Sequence, residues 1–170
     1  MAKIELVGFD QYTAKISALQ RDSTKMCKAV VYPGAAVLAE KIRAETEALP
    51  TISDAEALGN FRSGTVNDAL SVSQKAGLVE SLGISGIKKD RGGMVQTSVG
   101  FTGYNGVKTQ HFPNGQPNAE VARSLEKGTS YLKRNRFVER AVKAAREEAI
   151  AAMAAEADAY IEKKMQENGG

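Results

Sequence analysis

Tryptophan is absent from this sequence, and cysteine and histidine occur once each, as Cys27 and His111. A single cysteine excludes an intramolecular disulfide, and a free thiol in a helical stretch is expected to be buried. A single histidine, 84 positions from the cysteine, leaves too few ligands for a His/Cys zinc set. Long apolar runs are missing as well. No segment approaches the roughly 20 uninterrupted apolar residues of a membrane span, and the start "MAKIELVGFD" lacks the apolar core of a signal peptide. A soluble chain made in the cytoplasm, with no membrane partner, is the expectation. Charge of one sign is scarce: 23 Lys and Arg face 20 Asp and Glu, and a net +3 is too small to mark a nucleic-acid binder by itself.

Catalytic patterns are equally thin. No serine sits in a Gly-x-Ser-x-Gly context, and His111 falls in a loop-like stretch, where a solvated role is expected. The stretch "GNFRSGT" lacks the Gly-Lys-Ser/Thr ending whose lysine reaches a bound phosphate. The carboxylate pairs Glu147/Glu148 and Glu156/Asp158 read as a solvated helix face rather than a burial-tuned acid and base. No catalytic residue, cofactor or metal is therefore expected.

What is present is the material of one α+β domain spanning residues 1–170. The 170 residues, 42% of them apolar, are enough for a real core. Five Phe and five Tyr leave that core to Ala, Val, Leu and Ile, hence to closely packed helices. Alternation at Ile4, Leu6 and Gly8 predicts a short edge strand. Asp10 is placed to cap a helix with Tyr12, Ile16 and Leu19 on one face. Asp22, Ser23 or Thr24 caps a longer segment, Met26 to Leu49, in which Pro33 and Gly34 predict a kink or short break. Residues 51–65 read as a polar connection with a helical turn at "DAEAL". A third helix runs from Val66 to near Gly83. Then the period changes. Ile84 and Ile87 before the "DRGG" reversal, and Val95, Thr97, Val99 and Phe101 after it, predict an antiparallel strand pair. Residues 103–117, with three glycines and two prolines, predict a long exposed loop with a hairpin at Asn105-Gly106. Asn118 is placed to cap a short helix that Gly128 stops in the left-handed position. Asn135 is placed to cap the last helix, where Phe137, Ala141, Ala145, Ala149, Met153 and Ala157 form one stripe. Residues 166–170 read as a frayed tail.

Two features have the look of contact surfaces. Lys127, Lys133, Arg134 and Arg136, with Tyr131 among them, place cations where the positive end of the following helix prefers acids, so an anion opposite is expected. The loop supplies Tyr104, Val107 and Phe112 as docking groups and is expected to gain order on assembly.

Several fragments, in order, resemble one family. "GLVESLGISGIKKDRGGMVQTSVGFTGYN", then "FPNGQPNAEVARSLEKGTS", then "RFVERAVKAAREEAIAAMAAEADAYI" is similar to the neck and tail-completion proteins, or minor tail components, of long-tailed bacteriophages, over about residues 3–165. The resemblance implies a non-enzymatic virion protein, assembled in the host cytoplasm as a homo-oligomer, a hexameric ring at the head-tail junction. Its implied neighbours are the head connector or head-closure protein and the tail terminator or tail tube, with packaged DNA passing through. A tail-terminator subunit is a second reading of the same class. In a third, a nucleic-acid-binding module, Lys88, Lys89, Arg91 and the run from Lys133 to Arg136 contact phosphate. Within the ring reading, the turn Gly128, Thr129 and Ser130 places Glu126, Lys133, Arg134 and Arg136 at a subunit boundary.

Overall fold

Two long helices carry the molecule, and they pair through small residues set where the backbones approach. A computed structural model describes residues 9–167. The strand expected at Ile4 to Gly8, the side chains of Tyr12, Ile16 and Leu19, and residues 168–170 of the expected frayed tail lie outside the described part. Helix α1 spans Phe9–Glu47 and the last helix, α5, spans Phe137–Glu167, so residues 166 and 167 are helical. The two run antiparallel, because the ion pairs Glu45 to Arg140 (2.7 Å), Lys41 to Glu148 (2.9 Å) and Asp22 to Lys164 (3.5 Å) step in opposite directions along them. Phe137, Ala141 and Ala145 are buried four residues apart on α5, as the stripe requires.

Helix α1 departs from the two-helix expectation. Asp10, Asp22 and Pro33 all lie inside one unbroken helix, and no break occurs at Pro33. An interior proline costs about 3 kcal/mol through a lost hydrogen bond and a crowded carbonyl. Packing on α5 offsets that cost at this point. A Cβ on Gly34 would lie 2.6 Å from the Met153 sulfur, so the glycine after the proline lets α5 approach closely here. Cys27 is half-buried on the same helix rather than fully buried. Lys75 closes the end of α1, its Nζ donating to the carbonyl of its last residue, Glu47 (2.6 Å), and to that of Leu49 just beyond it (2.8 Å).

Between these helices the chain makes small elements. Strand β1 (Thr51–Ile52) pairs in parallel with β2 (Leu70–Ser71), and helix α2 (Asp54–Ser63) crosses between them. Helix α2 is longer than the expected turn because the Ser53 hydroxyl accepts the Glu56 N–H, and Gly64 closes the far end in the left-handed conformation. Helix α3 (Val72–Ser81) begins six residues later than Val66. Ser71 and Gln74 form a reciprocal capping box that sets its start, and residues before it are held in the parallel pair.

Strands β3 (Leu82–Ile84), β4 (Lys88–Lys89), β5 (Val95–Gln96) and β6 (Val99–Phe101) form the expected antiparallel hairpin in two pieces. The pairing Ile84 to Val99 becomes Lys88 to Gln96, so three residues oppose two, which is a bulge. Ser85 fills it: its hydroxyl accepts from Ser98 N–H and its carbonyl from the Thr97 hydroxyl. Helix α4 (Asn118–Lys127) buries Asn118, Val121, Ala122 and Leu125, one face of a short amphipathic helix. Asn118 does not cap it. Pro117 holds the cap position, and the Asn118 amide instead donates to the Thr102 carbonyl (2.9 Å), tying the helix to β6.

The core forms where these parts meet the proximal ends of α1 and α5. Leu49, Leu70, Leu78, Val121, Leu125 and Phe137 make one cluster; Ile42, Leu82 and Ala141 make a second, and Phe101 and Val138 pack against both. The result is an α+β fold with a small strand content between two long helices.

Candidate interaction surface

The turn between α4 and α5 is stitched to its surroundings on both sides. Gly128 N–H reaches back to Ser124 O (2.8 Å), closing α4. Its φ is 78° and ψ 156°, which is not the left-handed helical position expected from sequence but the extended mirror region, open essentially to glycine alone. A Cβ there would also press on the Arg134 backbone nitrogen at 3.2 Å. Gly128→Val should therefore cost about 1–3 kcal/mol. Thermal melting tests this, and a variant that melts with the parent would show that the turn tolerates a side chain. Beyond the glycine, the Thr129 hydroxyl accepts from the Tyr131 and Leu132 N–H groups (3.3 and 3.1 Å). Asn67 pairs with the same strand of chain: its N–H donates to Tyr131 O and its carbonyl accepts from Lys133 N–H. Ser130 is exposed at the apex.

Glu126 answers the electrostatic difficulty at the start of α5. Its carboxylate accepts the Val138 N–H (3.0 Å) and the Glu139 N–H (3.2 Å), so a residue of α4 caps α5 across space. Asn135 was expected in that role, but its side-chain oxygen accepts from Arg140 (3.0 Å) instead. An anion at a helix N-terminus is favourable through both the free N–H groups and the dipole. Glu126→Ala should lower stability by about 0.5–2 kcal/mol, the usual range for a lost cap, while Glu126→Gln, which keeps an acceptor, should lose less. Chemical denaturation of both variants measures the difference, and equal losses would mean that the cap contributes only packing.

The cations around that helix start are unequally satisfied. Arg140 is held by Glu45 and Asn135. Lys143 (2.8 Å) and Arg136 (3.4 Å) both pair with Glu139. The Lys143 hydrogen bond first, then its charge and those of Arg136 and Arg134, hold the Glu139 carboxyl below the usual range despite a small opposing desolvation. Arg134 donates to the Glu126 backbone carbonyl (3.2 Å) and acts on the Glu139 carboxylate only from beyond ion-pair distance. No ion pair of Lys133 or Arg134 occurs among the described residues. With Asn135, Arg134, Arg136, Glu139, Arg140 and Lys143 line a shallow surface depression.

An aromatic pair adjoins this basic surface, and sequence reading placed only half of it. Phe61 of α2 and Tyr131 of the turn pack in a tilted contact, 4.8 Å between centroids and 48° between ring planes, yet they are 54% and 46% exposed. Leu58, one turn back on α2, and Val66, beside the Asn67 pairing, are exposed too. Helix α2 buries none of its residues, so its apolar side chains point outward rather than into the core. The spacing of Leu58 and Phe61 was the available signal; in a segment read as a polar connection it carried no weight.

The 103–117 segment is more ordered internally than its composition suggests. Asn105 N–H donates to Gln116 O, Gln116 N–H to Val107 O, and Thr109 and Phe112 exchange both backbone bonds. The hairpin thus turns at Gln110 and His111, not at Asn105-Gly106. Asn105 is instead buried, its side-chain oxygen accepting the Val107 N–H. Tyr104 is 66% exposed, Phe112 lies exposed at the tip and Val107 is half-buried. No hydrogen bond or ion pair joins these three to the Glu126 to Arg136 turn among the described residues. His111 is exposed beside them.

Among the described residues there is no cluster of His, Cys, Asp and Glu able to hold a metal ion, and no helix is long and apolar enough to cross a membrane. Comparison with known protein families, with curated proteins and with solved structures finds no match to this chain.

Proposed function

We propose that this chain is a structural assembly subunit, packing against copies of itself in a ring at the head-tail junction of a long-tailed bacteriophage. The observation that carries the assembly role is the exposed Phe61/Tyr131 pair set beside Lys133, Arg134 and Arg136. Aromatic residues and arginine are the types enriched where protein surfaces meet, and an exposed aromatic pair has apolar area still to bury. The phage setting is supported by the ordered motifs from "GLVESLGI" to the alanine-rich last helix. Rigid framing by α1 and α5 suits a part that must hold its shape under load.

The test is imaging of purified tailed particles carrying a tagged copy of the chain. A closed ring on the tail axis between head and tail, hexameric in the expected case, supports the proposal. A single off-axis copy, or absence from the particle, removes it. The nucleic-acid reading predicts instead that binding of a DNA oligonucleotide falls steeply as salt rises, through release of counterions from several phosphates. Lys88 and Lys89 are exposed on the hairpin, and Lys89 donates to the Thr24 hydroxyl of α1 (3.3 Å).

A further inference from the structure

Charge is sorted along the last part of the chain. From Arg123 to Arg146 there are eight Lys or Arg and two Glu, whereas residues 147–162 hold five carboxylates and no cation. The acidic stretch lies on α5 and also shows apolar side chains to solvent. Ile150 is 59% exposed, and Ile161 and Ala154 are exposed with it. Ile150, Ala154, Ala157 and Ile161 are spaced by four, three and four residues, the period of a helix-packing seam. Glu147, Asp158 and Glu162 flank this seam, are exposed, and take part in no ion pair among the described residues.

We infer that the aromatic and basic surface of one copy, Phe61, Tyr131, Lys133 and Arg134, seats on the distal α5 seam of the next copy, Ile150, Asp158 and Glu162. Each surface has what the other lacks: apolar area on both sides, unpaired cations on one and unpaired carboxylates on the other. Helix α5 is continuous between them, so they are held about 25 Å apart along its axis and cannot meet within one subunit. Two complementary but different patches on one rigid body define a head-to-tail contact, which closes into a ring when the rotation allows. The charges fix which surface meets which, and the apolar groups supply the buried area. This deepens the ring reading and rests on it only for the closure of the array.

The experiment is sedimentation of the full-length chain over a concentration series. Mass is expected to rise with concentration at low ionic strength, and salt at about 0.5 M, which shortens the screening length severalfold, should weaken association. Lys133→Glu with Arg134→Glu, and separately Asp158→Lys with Glu162→Lys, should each weaken it at least about tenfold by setting like charges opposite one another. Mixing the two variants should restore it, because each then offers both an untouched surface and a reversed one to its counterpart. Circular dichroism melting of the Asp158 and Glu162 variant should match the parent, since both side chains are exposed and make no ion pair among the described residues, and the Lys133 and Arg134 variant should remain fully folded at the assay temperature although Arg134 gives up its bond to the Glu126 carbonyl. A parent chain that stays monomeric up to about 1 mM overturns the inference, as do reversals without effect or a mixture that fails to restore association. Loss of binding to a DNA oligonucleotide with self-association intact would assign the basic surface to nucleic acid and overturn it too. Association in a chain absent from particles would remove the phage reading alone, and a neck-located chain indifferent to both reversals would remove this inference alone.

Discussion

Phe137→Ala should lower the unfolding free energy by about 3–5 kcal/mol, the usual loss for truncating a buried phenylalanine. Phe137 is fully buried at the first turn of α5. It packs with Leu49, Leu70, Leu78 and Leu125, and its ring lies 6.0 Å from that of Phe101. These neighbours come from five different parts of the chain, so the cavity left by alanine cannot close by moving one side chain. The site also sits directly after the basic turn, and softening it would loosen the frame that orients Tyr131 and Arg134. The measurement is the denaturant midpoint at constant slope. A loss under about 1 kcal/mol would mean that the surroundings collapse to fill the space, against the packing described. Because domains of this kind are stable by only about 5–15 kcal/mol, the variant is also expected to give a poor yield of folded protein.

The second large effect is expected at Gly115, in the segment whose order sequence did not suggest. Gly115 is buried with φ at 106°, and a Cβ there would be driven into the Asn105 carbonyl oxygen. Gly115→Ala combines backbone strain of about 1–3 kcal/mol with an overlap of similar size that only backbone movement can relieve. Asn105 is the anchor that such movement would disturb. It bonds to Gln116 and Val107 and lies against α3, where a Cβ on Gly77 would come within 2.6 Å of its own Cβ. Hydrogen exchange should therefore show faster exchange at the Asn105 and Gln116 amides together with a lower melting temperature. Gly106→Ala is the control, because nothing lies within 4 Å of a Cβ there, and it should behave like the parent. If both variants keep parental protection, the segment does not depend on the close approach at Gly115.

The same segment shows how far composition can mislead. Three glycines and two prolines lower the intrinsic preference for any one structure. What orders the chain here is a buried asparagine whose backbone N–H and side-chain oxygen both bond within its own loop, and burial is a property of the neighbours. Of the three apolar groups that sequence offers for docking, Tyr104 and Phe112 are exposed and Val107 is half-buried. Sequence also marked the basic turn, because cations before a helix stand out against the dipole rule. It could offer Glu126, a neighbouring copy or packaged DNA as the counter-anion. In the fold Glu126 accepts the N–H groups that open α5 and pairs with none of these cations, and Lys133 and Arg134 make no ion pair among the described residues.

By itself the sequence determined what depends on neighbours within a few residues. The α+β class, the stripe through Phe137, Ala141 and Ala145, the helix ending at Gly128 and the hairpin around "DRGG" all follow from periodicity and turn chemistry. Tertiary structure alone decided the features whose partners lie far along the chain. Pro33 and Gly34 read locally as a stop, yet α1 continues because Met153 and Ala149 of α5 pack against that point. Val66 to Leu70 have helical spacing, yet the bridge of Asn67 to Leu132 and the pairing of Leu70 with Thr51 keep them out of the helix until Ser71 caps it. Leu58 and Phe61 would be core residues by hydrophobicity, but α2 lies with that face to solvent, so only the fold made them a surface. Local preferences are worth tenths of a kcal/mol to about 1 kcal/mol per residue, while burial of one large side chain is worth about 1.5–3, and where the two disagreed the contacts between distant segments prevailed.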